Sequence, residues 1–149
     1  MSLSLTSPAF EHNAFIPDEF TCHGADYPPP LMWEDPPQNT KSFVLIMDDP
    51  DAPMGVWIHW ILFNVPANCR ELDAAIDIPN SAISCKNSWG KAGYGGPCPP
   101  SGTHRYFFKL YALDALLSLD ETASKHDVEY AMQSHILETS ELIGKYSRQ

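Results

Sequence analysis

Two stretches of the sequence gather side chains that could exchange protons or grip a small charged molecule. The first is DDPDAPMGVWIHW, Asp48 to Trp60, where three carboxylates and two prolines precede a lone histidine in an apolar setting. The second is GKAGYGGPCPPSGTHRY, Gly90 to Tyr106, a glycine- and proline-rich loop running into His104-Arg105-Tyr106. Singly, each has an ordinary explanation. Asp-Pro-Asp is turn chemistry, because an Asp side chain satisfies nearby backbone donors. A histidine in a strand is usually a satisfied core residue. Gly95-Gly96 permits positive φ or close backbone approach.

Several familiar motifs are absent. No Lys-Ser/Thr follows the glycines, so the loop is not a P-loop. The prolines and the missing terminal glutamate exclude an EF-hand. Neither HExxH nor GxSxG occurs, and no set of metal ligands is complete. What remains is the combination. Loops stiffened by proline at the ends of apolar strands present Asp49, Asp51, His59, His104 and Tyr106, and stiff loops lose little ordering entropy on binding. Asp49 and His59 could also work as an acid/base pair, with Cys98 as a thiolate nucleophile beside a histidine.

The elements that must position these residues follow from proline placement and hydrophobic period. All fourteen prolines lie at or before Pro100. Since proline breaks helix interiors, the first two-thirds reads as strands and structured loops. Ser42–Asp48 (SFVLIMD) is a continuous apolar run, predicting a strand covered on both faces. Trp57–Val65 (WIHWILFNV) is a second strand, stopped by Pro66. In His104–Asp114 the residues His104, Tyr106, Phe108 and Leu110 share one face, and Arg105 points away from Tyr106. Ser2–Thr6 and Ala82–Lys86 are weaker strands. From Ser124 the period lengthens. Ser124 with Asp127 resembles a capping box, and Val128, Met132, Ile136 and Leu142/Ile143 approximate a helical stripe up to a C-cap at Gly144. No repeat or linker interrupts residues 1–149, so a single domain is expected.

Composition narrows the partners. The chain has 149 residues, 44 % of them hydrophobic, enough for a proper core. A net charge of −10 with only nine Lys and Arg argues against a nucleic-acid partner. No apolar run approaches the ~18 residues of a membrane span. The start MSLSLTSPAFEHN lacks the order of a secretion signal, which makes the cytoplasm the default compartment. Cys22, Cys69, Cys85 and Cys98 show no CxxC pairing, and in a reducing compartment they read as ordinary thiols.

Together the motifs resemble the phosphatidylethanolamine-binding protein (PEBP) family, particularly its short bacterial YbhB/YbcL-type members, which are Raf kinase inhibitor protein-like. DPDAP followed by a His-Trp strand is similar to the family's first signature. GYGGPCPPSGTHRYFFKLYALD is similar to the second. SPAF…IP…FTCHG…PPLMW and AM…HILETSELIGKY extend the resemblance over almost the whole chain. It implies a mainly β fold: a sandwich of a large central antiparallel sheet and a smaller sheet, with a C-terminal α-helix and short peripheral helices. It also implies a pit for a small anion such as phosphate or a phosphorylated head group. Asp49, Asp51, His59, His104 and Tyr106 would line this pit, with Gly96, Pro97 and Cys98 at its rim. The proline-rich contexts of Thr21–His23 and Gly96–Pro100 read as loops beside the DPDAP turn, so both are expected to line the rim, which would bring Cys22 and Cys98 close enough to bridge under oxidising conditions. No cofactor or metal is implied, and a homodimer fits the bacterial relatives. The resulting expectation is a regulatory anion-binding protein. The alternatives are a hydrolase or lyase using Asp49 and His59, or a protease- or kinase-inhibiting interaction module with a vestigial pocket.

Overall fold

The computed structural model describes residues 2–73 and 77–148. Its elements, in chain order, are β1 (Ser4–Thr6), β2 (Leu31–Glu34), β3 (Ser42–Asp49), β4 (Trp57–Pro66), β5 (Glu71–Leu72), β6 (Ile83–Ser84), β7 (Thr103–Leu113), α1 (Lys125–Met132) and β8 (Ile136–Ser147). A one-turn 3₁₀ helix occupies Asp18–Phe20. Two antiparallel sheets form, one ordered β1-β2-β5 and the other β6-β4-β3-β7-β8. No helix among the described residues is long and apolar enough to cross a membrane.

The unbroken apolar run of β3 is explained by its two buried faces. Phe43, Leu45 and Met47 point into the core between the sheets, where they meet Leu5, Leu31 and Trp33 from the smaller sheet. Val44 and Ile46 point the opposite way, into a second cluster with Ile61, Phe63 and, from the helix, Val128 and Met132. Strand alternation therefore builds three layers: small sheet, large sheet, helix. The alternation of β7 holds as well, with His104, Tyr106, Phe108 and Leu110 all buried.

The C-terminal expectation requires correction. The capping box is present: the Ser124 hydroxyl accepts from the Asp127 backbone N–H, and the Asp127 carboxylate accepts from that of Ser124. The helix nevertheless ends at Met132, and Ile136–Ser147 is a strand paired antiparallel along the full length of β7. Without it, β7 would leave a long row of unpaired backbone groups at the sheet edge. The extension of the helical stripe also fails on burial, for Ile136 is 38 % exposed. The period that matters there is two, since Leu142, Gly144 and Tyr146 turn inward together. Gly144 is thus a packing position and not a C-cap: an added Cβ would lie 2.5 Å from Ile16 Cγ1 and 2.8 Å from Phe10 Cε2.

The packing of α1 gives a direct test. Met132 is 3 % exposed within the outer cluster. Met132→Asp should bury a charge with no partner and lower stability by about 3 kcal/mol or more in urea unfolding. An unchanged midpoint would mean that this face does not pack on the sheet.

Candidate functional site

Strand β3 ends in the turn that begins DPDAP. The Asp49 carboxylate caps this turn, its Oδ1 accepting the Asp51 backbone N–H at 2.8 Å. Its Oδ2 accepts from His104 Nδ1 at 2.6 Å. Both partners are buried, Asp49 at 3 % and His104 at 6 % exposure, so the acid sits inside with its hydrogen bonds made. Asp51 turns the other way. Its Oδ1 accepts from Arg105 Nη2 at 2.8 Å, and its Oδ2 accepts from Arg105 Nε and the Arg105 backbone N–H, both at 2.9 Å. This two-pronged contact, aided by the backbone bond, holds the Asp51 carboxyl down at about 2.

His59 reaches the site through an irregularity in β4. Met47 of β3 faces Trp60, but the next residue, Asp48, faces Ile58, so His59 is the extra residue of a β-bulge. Above the bulge, Trp60 and Leu62 face the intersheet core while Ile61 and Phe63 face the helix. Below it the order inverts: Ile58 packs with the helix-side cluster, and Trp57 and His59 face the same cavity as Tyr106. Gly95 fixes the bulge from outside. Its N–H donates to the His59 carbonyl at 2.9 Å, and its own carbonyl accepts from His59 Nδ1 at 2.7 Å. Nδ1 therefore carries the proton, and Nε2 has no protein hydrogen-bond partner among the described residues. Burial pushes the imidazole below its ordinary value of 6.5, against the bond to Gly95 and the field of Asp49.

The resulting cavity measures about 230 Å³. Its buried floor is Asp49, His59 and Tyr106, its walls are Trp57, Trp89 and Cys98, and Pro53, Met54, Pro99 and Pro100 form the mouth. The Tyr106 hydroxyl is fully buried and makes no well-formed hydrogen bond, although the Cys98 backbone N–H bears on it. Burial, followed by the nearby Asp49 charge, raises its pKa far beyond neutrality, so it remains a donor. The His59 ring packs edge-on against Tyr106 and Trp89, at centroid distances of 5.2 and 5.0 Å.

Four of the expected site residues line the cavity: Asp49, His59, Cys98 and Tyr106. His104 stands behind Asp49 and orients it. Asp51 is drawn outward to Arg105, and its role is to fasten the turn to the start of β7. Gly96 lines a neighbouring cavity and donates its N–H to Asp26 Oδ1 at 2.9 Å. Pro97 accepts the Cys22 N–H through its carbonyl. Asp49 and His59 line the same cavity without being hydrogen-bonded to each other. Trp89 was not anticipated. The one signal was Gly95, whose missing side chain leaves the space that the Trp89 indole fills. The reading of four ordinary thiols holds only for Cys69 and Cys85, while the expected proximity of Cys22 and Cys98 is met. Cys22 and Cys98 form a disulfide with Cα atoms 5.5 Å apart, and only Cys69 and Cys85 are free. Among the described residues, no group of three or more His, Cys, Asp or Glu is placed to hold a metal.

Comparison with known proteins agrees with this architecture. Residues 6–147 match the model of the family described as phosphatidylethanolamine-binding protein. A UPF0098 protein from Methanothermobacter thermautotrophicus is 46 % identical over 150 residues, covering 98 % of this chain and 99 % of that protein. The likeness therefore reaches archaea as well as bacteria. Among solved structures, a PEBP homologue from Chlamydia trachomatis superimposes with a TM-score of 0.95 at 40 % identity, covering 99 % of both chains. Escherichia coli YbcL, described as a member of the mammalian PEBP family, gives 0.92 at 31 % identity over the full length of both. Signatures, two-sheet fold and full-length matches agree, and the chain belongs to the phosphatidylethanolamine-binding protein family.

Proposed function

We propose that the pit binds a small oxyanion carrying a shareable proton, of the phosphate-monoester class, and that binding serves regulation and not turnover. One observation carries this reading: a fully buried Tyr106 hydroxyl without a protein acceptor faces the same cavity as the unengaged Nε2 of His59. A buried donor left unmade is costly unless a ligand or water meets it. The family's descriptive name supports a phosphoryl head group, and the volume suits one. At about 230 Å³ the pit is below the ~300–1,000 Å³ of pockets for larger ligands, so acyl chains would remain outside.

The charges favour a protonated ligand. No Lys or Arg lines the pit, and Asp49 lies in its floor. A dianion would meet only repulsion and neutral donors. With one proton shared between a ligand oxygen and His59 Nε2, the anion gains a charge-assisted bond there and accepts another from Tyr106. Catalysis is the second reading. Against it, the Cys98 sulfur is committed to a disulfide and the Asp49 oxygens are engaged by His104 and the Asp51 N–H. A third reading, an interaction module, would leave the pit empty in use. Turnover in a phosphoesterase, esterase or peptidase screen that vanishes in both Asp49→Asn and His59→Ala would replace the binding reading with the catalytic one.

Tyr106→Phe separates ligand from fold. The hydroxyl donates to no protein acceptor among the described residues, so thermal stability should change little. Phosphate-monoester affinity should fall roughly 10- to 100-fold, the loss of one hydrogen bond to a charged group. Undiminished binding measured by calorimetry would place the ligand elsewhere.

A pH series reports the proton. Free His59 titrates below 6.5, and a phosphate monoester takes its second proton near ~6. Above about pH 6.5 both are deprotonated while the complex holds one proton, so binding takes a proton up and affinity rises as pH falls from about 8. Below about pH 6 the free ligand already carries the proton, and the gain levels off. Calorimetry at pH 7.5 in buffers of different ionisation enthalpy should count close to one proton. Zero uptake, or affinity that climbs with pH, would eliminate the shared-proton site.

A further inference from the structure

The wall of the pit has an unusual means of support. Pro97-Cys98-Pro99-Pro100 can donate only one backbone hydrogen bond, since proline has no N–H. That single N–H, from Cys98, lies toward the Tyr106 hydroxyl and pairs with no strand backbone. The segment therefore cannot be stitched to a sheet. It is attached sideways to the loop after the 3₁₀ turn. The Gly96 N–H donates to Asp26 Oδ1 at 2.9 Å, Cys22 N–H to the Pro97 carbonyl at 3.2 Å, and Tyr94 Oη to the Phe20 carbonyl at 2.7 Å. Past Pro97 the attachment is covalent, through the Cys22–Cys98 disulfide across 76 residues of sequence.

Cys98 occupies a boundary. It lines the pit, and together with Trp89 it also lines a second cavity of about 220 Å³ that contains Cys22 and Gly96. Both bridged cysteines are exposed to solvent. Exposed bridges are the ones that exchange, and in a reducing compartment a disulfide is usually catalytic or redox-sensing.

We propose that the Cys22–Cys98 bridge is a thiol–disulfide exchange site that locks the wall of the pit, so that its redox state sets the affinity of the site. The affinity part rests on the anion-binding reading; the lock itself does not. The reductant is a dithiol. One of its thiolates attacks Cys22 Sγ, forming a mixed disulfide and expelling the Cys98 thiolate. Its second thiol then closes the reductant's own disulfide and releases Cys22. Two electrons pass to the protein, the two cysteine sulfurs take up two protons, and the dithiol becomes a disulfide. Reduction removes the covalent tie and leaves the segment with the hydrogen bonds at Gly96 and Pro97 and the stiffness of its prolines. The wall then samples more positions, and the ordering cost that the bridge had removed returns on binding.

The test compares air-oxidised protein, protein treated with dithiothreitol, and Cys22→Ser, which retains the Cys98 thiol in the wall. Thiol titration of denatured air-oxidised protein should find two free thiols, Cys69 and Cys85. Inorganic phosphate should bind the reduced protein roughly three- to tenfold more weakly than the oxidised protein. Cys22→Ser should match the reduced protein with or without dithiothreitol. Independently of phosphate, amide hydrogen exchange at residues 20–26 and 94–98 should quicken on reduction. Four free thiols at the outset, a bridge that survives dithiothreitol under native conditions, or unchanged exchange would overturn the lock. Equal affinity in both states would remove its control of binding. If phosphate binds in neither state while exchange quickens, the anion reading fails and the lock stands.

Discussion

The site depends on one extra residue in a strand. In a regular β4, alternation would send His59 to the helix side with Ile61 and Phe63, away from Tyr106. The bulge places His59 and Trp60, consecutive residues, on the same side of the sheet. A bulge leaves backbone groups unpaired and must be held. Gly95 does this with two bonds, one to the backbone and one to the ring of the same residue. The same contact that stabilises the irregular strand also fixes the His59 tautomer and leaves Nε2 free. A substitution at Gly95 would affect both, because any side chain there would displace the Trp89 indole from the wall.

An acidic protein with carboxylates beside a cavity proposed to take an anion looks contradictory until Asp48, Asp49 and Asp51 are followed individually. Asp48 lies on the opposite face, 3.1 Å from Lys109 Nζ. Asp51 is taken up by Arg105 on the outside of the turn. Only Asp49 enters the pit, with both oxygens already accepting hydrogen bonds. Each acid serves the fold first: strand alternation separates Asp48 from Asp49, and the turn directs Asp51 outward. What the cavity offers a ligand is a hydroxyl donor, an imidazole able to receive or share a proton, and one carboxylate with a histidine behind it.

Much of this was legible in the sequence, for physical reasons that differ by element. The double-sided burial of β3 appears as an unbroken apolar run, and the inward face of β7 as plain alternation. The start of α1 appears in the reciprocal Ser124–Asp127 bonds. Each of these is local. The bulge is not, since WIHWILFNV contains nothing to mark which residue is supernumerary; that depends on the register with β3. The strand β8 was hidden for a related reason. HILETSELIGKY supports an approximate helical stripe as well as a period of two, and the unpaired edge of β7 decides between them. Asp51 was misplaced because its preference for Arg105 over the pit depends on the direction in which the turn folds.

The floor and the wall of the site are held by different forces, and this sets how each can change. Asp49, His59 and Tyr106 stand on neighbouring strands of the large sheet, where the ladder of β3 with β4 and β7 fixes their spacing. Moving any of them requires moving a strand whose other face is packed against the helix layer. The wall segment 97–100 has no such ladder, because its prolines cannot join one. Prolines limit the conformations it can adopt, and a covalent bridge selects among them. The floor is therefore tied to the stability of the whole domain, whereas the wall is a short segment fastened through sulfur. The fold thus separates a floor set by strand register from a wall set by proline and one covalent bridge.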